Sequence, residues 1–209
     1  MANKNTKRLE EIKKRENKKM YEKQVKTMVW YPVVMLIAAL ITLLLYSTNW
    51  AAIYNTDIGG NEVAITGFNC LSALFTDGFT STDKSVGDMA VPFYYYAKNE
   101  CESLSLATLV SLIILCFTIV LLVITIFSKK HNLIAVNSVA FIAEAIALIV
   151  VYCIAMSMED GKILPIYCGG NPACSISSMA LIPVIISVVG IAVGALGAVK
   201  YVKACKLIS

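Results

Sequence analysis

Glu144 is the residue in this chain whose type and position most directly suggest chemistry. It sits at the centre of "VNSVAFIAEAIALIV", Val136 to Val150, which otherwise reads as the middle of a membrane helix. An ionised acid at the centre of a span costs about 2.5–3.5 kcal/mol on the insertion scale, whereas each Leu, Ile, Val or Phe returns roughly 0.3–0.6. Twelve such residues between Leu133 and Ile154 therefore outweigh the acid, and the helix inserts with the carboxyl inside it. Acids of this kind face the bundle interior, where they tie helices together, carry protons or counter a cationic substrate.

Helical spacing supports an inward direction. Asn137 lies seven residues before Glu144, Ala140 four before and Ala147 three after, which makes one small, polar face. Gly190 and Gly194 form a small-x-x-x-small step further on, with Gly197 and Ser187 nearby, and that face suits close helix contact. If the two segments pack there, Glu144 lies near the level of Ser187 and Gly190. Two roles compete: a protonated acid that ties helices or binds a partner subunit, and a proton or counter-charge site in a small transporter. Glu144 is alone, with no second acid, His or Arg in any apolar segment, and a relay normally needs more than one station. The balance favours a structural or assembly role.

The cysteines are the second candidate. Cys116 and Cys153 lie within apolar segments, and Cys205 lies near the C-terminus. Cys70, Cys101, Cys168 and Cys174 lie in the connecting loops, and an even number there suggests two disulfides. Three pairings are open; Cys70–Cys101 with Cys168–Cys174 keeps each bridge within one loop. A membrane thiol oxidoreductase is the redox alternative, but no C-x-x-C occurs and no loop Arg, Lys or His adjoins a cysteine to lower its pKa. Metal binding lacks a loop His. G-x-S-x-G, H-E-x-x-H and phosphate-loop motifs are missing, so neither an enzyme nor a bound cofactor is expected. The single His, His131, lies beside Lys129 and Lys130 and reads as solvated.

The elements that hold these residues follow from composition. Apolar residues make up 58% of the 209 and charged residues 15%, against about 45–50% and 25% in soluble domains. The excess is concentrated in four segments, about 30–47, 104–127, 133–156 and 177–199. Each is long enough to cross a hydrocarbon core of about 30 Å. Pro32 falls in the first turn of the first segment and Pro183 in the second turn of the fourth, where few helix hydrogen bonds are lost. The expected class is an all-α membrane protein: a four-transmembrane-helix bundle, residues 28–209, with a small extracellular antiparallel β-sheet, preceded by a basic helical arm, residues 1–27.

Charge sets the orientation. Ten Lys or Arg lie in residues 1–27, Lys129 and Lys130 in the turn after span two, and Lys200, Lys203 and Lys206 in the tail. Four crossings put all of these on one side, so both termini are expected in the cytoplasm of a plasma-membrane protein. The net charge of +4 thus belongs to the cytoplasmic face and does not point to nucleic acid. Trp30, Tyr31, Tyr46, Trp50, Tyr152 and Tyr201 fall at span ends and read as interfacial anchors. The arm favours helix through pairs such as Glu10–Lys14 and Glu22–Lys26, and its basic residues would attract anionic lipid headgroups. Span one reads as an uncleaved anchor, because a long polar stretch precedes it.

The first outer loop, 48–103, is too long for a mere connector. "WAAIYNT" and "EVAITGF" read as strands joined by a turn at "DIGGN". "TDGF" reads as a turn, "STDKSVGD" as polar loop and "VPFYYYA", 91–97, as a third strand. Phe93, Tyr94, Tyr95 and Tyr96 in that segment are candidates for a contact surface. In the second outer loop, 157–176, "CGGNPAC" reads as a tight turn.

Trp50 just after span one, "GFNC" at 67–70 and Cys101 before span two give the chain a resemblance to the claudin-like four-span families. Their first outer loop carries a Trp, a Gly-Leu-Trp triplet and two cysteines. The resemblance implies an outer sheet on a left-handed four-helix bundle, a Cys70–Cys101 disulfide, and contact with neighbouring membrane proteins. Here Asn69 stands where the triplet has Trp, and Cys168 and Cys174 are additional. The chain also resembles four-span proteins of Gram-positive bacteria, and its loops contain no N-x-S/T sequon. The expected partners are the lipid bilayer and either a second copy of the chain or another membrane protein.

Overall fold

The computed structural model describes residues 2–55, 61–72, 74–75, 78–80, 85–86, 89–90, 95–159, 173–176 and 178–207. In most loop strands only the backbone is described. Helix α1 (Ala2–Met28) runs into α2 (Trp30–Leu45) through Val29, whose backbone is itself helical. Pro32 explains the interruption, since it has no N–H to give the Met28 carbonyl four residues back. The arm therefore leaves the bundle in continuation of span one. At 1.5 Å per residue its 27 residues reach about 40 Å, and part of it packs on the last long helix of the chain.

Strands β1 (Asn49–Asn55) and β2 (Asn61–Thr66) follow, then a short helix α3 (Gly67–Ser72) and strands β3 (Gly78–Thr80), β4 (Ser85–Val86), β5 (Met89–Ala90) and β6 (Tyr95–Ala97). The long helices α4 (Lys98–Ser128) and α5 (Leu133–Glu159) come next, joined by a tight turn in which Lys129 takes a positive φ of 53°. Strand β7 (Ala173–Ile176), a 3-10 turn (Ser178–Leu181) and α6 (Ile182–Cys205) complete the order.

Four helices among the described residues, within 11–45, 103–128, 133–156 and 182–205, are long and apolar enough to cross a membrane. The chain is a multi-pass membrane protein built as a four-helix bundle. Consecutive spans are antiparallel neighbours, α2 also packs on α6, and α2 and α5 face each other across the bundle. The fourth span differs from its expected bounds: residues 178–181 form a 3-10 turn, the helix proper starts at Ile182, and it extends to Cys205. Pro183 consequently falls in the first turn, where its missing N–H costs nothing.

Buried positions alternate by three and four along every span. In α2 they include Pro32, Met35, Ala39 and Thr42, with Tyr46 one step beyond. In α4 they include Leu104, Thr108, Ser111, Leu115, Thr118, Leu122 and Thr125. In α5 they include Ile134, Asn137, Phe141, Glu144, Leu148 and Val151. In α6 they include Pro183, Ser187, Gly190, Gly194 and Gly197. A seven-residue repeat sustained in this way suits helices that coil around one another with a left-handed sense. Outward positions such as Ile113, Phe117, Val120, Ile146, Val188 and Leu196 are exposed and apolar, the surface that lipid would cover.

At the end of the bundle that carries the two long loops, named outer for its place in the fold and the opposite end inner, the strands pair differently from the sequence expectation. A three-stranded antiparallel set has the order β2-β1-β7, so its third strand comes from the second loop and not from 91–97. Within 91–97, Tyr95–Ala97 pairs with Gly78–Thr80. Ser85–Val86, within the segment 81–88 expected to be loop, pairs with Met89–Ala90 just beyond it. Strand β2 ends at Thr66, because Gly67 and Phe68 open α3. The expected turn at "DIGGN" falls largely, and that at "CGGNPAC" mostly, outside the described residues.

Candidate functional site

The site is assembled from the α5–α6 contact upward. A Cβ added to Gly197 would meet Tyr31 at 2.9 Å and Ile134 at 3.0 Å. At Gly194 it would meet the Met35 side chain at 2.8 Å and lie against Ser138; at Gly190 it would meet the Phe141 ring at 2.5 Å. Three glycines spaced four and three apart thus bring the α6 backbone onto α5 and α2. At this inner level Asn137 Nδ2 donates to Thr125 Oγ1 of α4 at 2.9 Å, and Thr125 in turn donates to the Leu121 carbonyl at 2.8 Å.

Continued by one turn, the register of Gly197 on Ile134, Gly194 on Ser138 and Gly190 on Phe141 brings Ser187 of α6 to the level of Glu144. That of Tyr31 and Met35 on the same glycines brings Thr42 of α2 there, and that of Thr125 on Asn137 brings Thr118 of α4 there. Glu144, Thr42, Thr118 and Ser187 are all fully buried. Thr118 donates to the Ile114 carbonyl at 2.8 Å. The Thr42 and Ser187 hydroxyl oxygens and both carboxylate oxygens of Glu144 have no hydrogen-bond partner. A buried polar group without a partner costs about 1–3 kcal/mol, so this layer is held at a cost by the apolar surface around it.

Above the layer, the Tyr46 hydroxyl hydrogen-bonds to Ser111, which also donates to the Thr108 carbonyl at 3.1 Å. Glu144 is near enough to Tyr46 to act on it electrostatically. The Tyr46 ring packs at a tilt of 57° on Trp50 with ring centroids 4.8 Å apart and lies 5.9 Å from Phe68. Trp50 Nε1 donates to the Leu45 carbonyl at 2.8 Å, and a Cβ on Gly67 would meet the Trp50 ring at 2.8 Å. The Phe68 N–H donates to the Tyr46 carbonyl at 3.1 Å. Tyr46 and Trp50, read from the sequence as interfacial anchors, are therefore buried in a lock that joins span one to the first strand. Trp30, 70% exposed, keeps an anchor's place.

The other sequence candidates are placed as follows. Cys70 is buried in α3. Cys101 lies in α4 and Cys174 in β7 opposite Ile53, with their backbones alone described. Cys168, Phe93 and Tyr94 lie outside the described residues. Tyr95 and Tyr96 face Thr80 and Phe79 across a strand pair. His131 is buried, not solvated: its N–H donates to the Lys129 carbonyl at 3.1 Å, and its Nδ1 is buried without a partner. Burial pushes its pKa down. Among the described residues no group of three or more His, Cys, Asp or Glu could hold a metal ion.

The sequence reading left out Thr42, Ser111 and Thr118. For Ser111 and Thr118 the signal was the spacing of hydroxyl residues in span two, where Thr108, Ser111, Thr118 and Thr125 repeat at three and seven; Thr42, in span one, belongs to no such repeat. No protein-family model matches the chain, and no curated protein matches it.

Proposed function

We propose that the chain is a non-enzymatic plasma-membrane protein that acts through contacts of its outer face, with a second copy of itself or with another membrane protein. The single observation that carries this reading is the fixing of the outer segments. Strand β1 is paired on both edges, with β2 of its own loop and with β7 of the second loop. Trp50 within β1 is held by Leu45, Tyr46 and Gly67. A surface held this firmly over a bundle suits recognition, because little ordering entropy is lost when a partner binds. The claudin-like resemblance supports the same reading, with the β2-β1-β7 sheet extracellular and both termini cytoplasmic. Lys129, Lys130, Lys203 and Lys206 are then at the inner headgroup level with Lys23 and Lys26, where each would contribute about 1 kcal/mol toward anionic lipid.

A transport reading has less support. Phe141 against Gly190 lies on the inner side of Glu144, and Tyr46 bonded to Ser111 lies on the outer side. Purification of the full chain in mild detergent, with mass analysis of what accompanies it, tests the proposal. A second copy or a partner should co-purify and be lost when Phe93, Tyr94, Tyr95 and Tyr96 are replaced by Ser. A chain that purifies alone and monomeric, or a partner retained by that variant, would refute it. Labelling of intact cells with an impermeant thiol reagent should leave Cys205 unmodified.

A further inference from the structure

We propose that the layer at Glu144 is a binding site for one monovalent cation, held by the Glu144 carboxylate with the hydroxyl oxygens of Thr42 and Ser187. Four oxygen atoms from three helices are buried there without a hydrogen-bond partner. All four partnerless atoms are oxygens, and an all-oxygen donor set selects a hard cation. Charge selects its valence. No basic residue occurs in 32–45, 104–128, 133–156 or 182–199, so one carboxylate is balanced by one positive charge, and a divalent ion would leave a net charge in a medium that penalises it. Thr118 lies at the same height, and its oxygen keeps lone pairs free while its proton is given to Ile114.

Tyr46 with Ser111 lies over the layer on the outer side and Phe141 under it on the inner side. An ion there exchanges slowly and ties α2, α5 and α6 together; it is a structural ion, not a cargo. The inference stands apart from the outer-contact reading, and either can fail alone.

The test uses the full chain in mild detergent, at alkaline pH to keep protons from competing for the carboxylate. Melting is followed in sodium, potassium and N-methylglucamine chlorides at equal ionic strength. With sodium or potassium about a hundredfold above its Kd, Tm should rise by roughly 5–10 °C relative to N-methylglucamine. The rise should saturate with cation concentration and vanish in Glu144→Gln. Thr42→Val and Ser187→Ala should each weaken the apparent affinity about tenfold, the loss of one oxygen ligand worth roughly 1.4 kcal/mol. Equal melting of the native chain in all three salts would overturn the proposal and leave ordered water as what satisfies the layer. A cation-dependent rise that survives Glu144→Gln would overturn it too. Should Glu144→Gln fail to fold, Ser187→Ala decides the matter, because an unchanged affinity is incompatible with Ser187 as a ligand.

Discussion

Asn137 and Glu144 occupy one face of one helix, two turns apart, and the bundle treats them differently. The Nδ2 of Asn137 donates to Thr125, which both accepts from it and donates to its own helix, while the Asn137 Oδ1 has no partner. The carboxyl of Glu144 has no hydrogen-bond partner on either oxygen. The neighbouring helix accounts for much of the contrast. At the inner level α6 presents Gly194 and Gly197 and its backbone closes onto α5. At the outer level it presents Ser187, whose hydroxyl is itself unpaired. The inner level is a tie that locks helices by contact and hydrogen bonding. Unused bonding capacity is larger at the outer level, where the Thr42 and Ser187 hydroxyls and both Glu144 oxygens lack partners, than at the inner level, where the Asn137 Oδ1 lacks one; in a low-dielectric interior it is kept at a cost in stability.

The two levels meet at Gly190 and Phe141, so the largest expected effect is there. Gly190→Leu forces atoms into the Phe141 ring and should cost about 3 kcal/mol, read as a lower Tm or a loss of folded protein in detergent. An unchanged melting point would mean that Phe141 does not separate the levels. Next in size is Glu144→Met in buffer free of small cations. Removing an unpaired buried acid should stabilise the chain by about 1–3 kcal/mol. Asn137→Leu should act in the opposite direction and less strongly, destabilising by about 0.6 kcal/mol and at most about 1.7, the range of interhelical hydrogen bonds in membranes. Equal signs for these two substitutions would remove the distinction between a tied and an untied level.

How much of this was legible in the sequence depends on which contrast carried the information. The spans were legible because apolar runs of about twenty residues are rare outside membranes. The seam was legible only in part. In a soluble bundle apolar residues mark the inward face, but here Ile113, Phe117 and Leu196 face outward and Leu115 and Leu122 inward, so apolarity says nothing about direction. Glycine and the lone acid marked the seams of spans three and four. Span two hid its seam because Thr and Ser give their protons to the preceding turn, as Thr108 and Thr118 do, and are therefore tolerated on either face. The pairing of β7 with β1 was not legible, since short strands carry no signal of which loop supplies the partner. Tyr46 was misread because an aromatic residue at a span end fits a membrane interface equally well; Ser111, far off in sequence, gives its hydroxyl a partner inside.

The smallest effect is expected at His131, another buried group with an unpaired atom, at the inner turn between α4 and α5. Burial holds its folded-state pKa below the ordinary value of 6.5. The unfolded chain therefore takes up a proton at a pH where the folded chain does not. Above about 6.5 both states are neutral at this residue and stability is independent of its titration. As the pH falls through that value the unfolded state binds more protons, and stability declines until the folded imidazole also titrates. His131→Gln should remove this decline while leaving Tm at alkaline pH nearly unchanged. The difference between native and variant Tm, followed from alkaline to mildly acidic pH, isolates the effect from the titration of the acidic outer loops and of Glu144. Such a slope belongs to the inner end of the bundle, whereas the cation dependence proposed at Glu144 belongs to its middle, so the two should respond independently in the Glu144→Gln and His131→Gln chains. A double variant whose two losses are not additive would show that the turn and the buried layer are energetically coupled through α5.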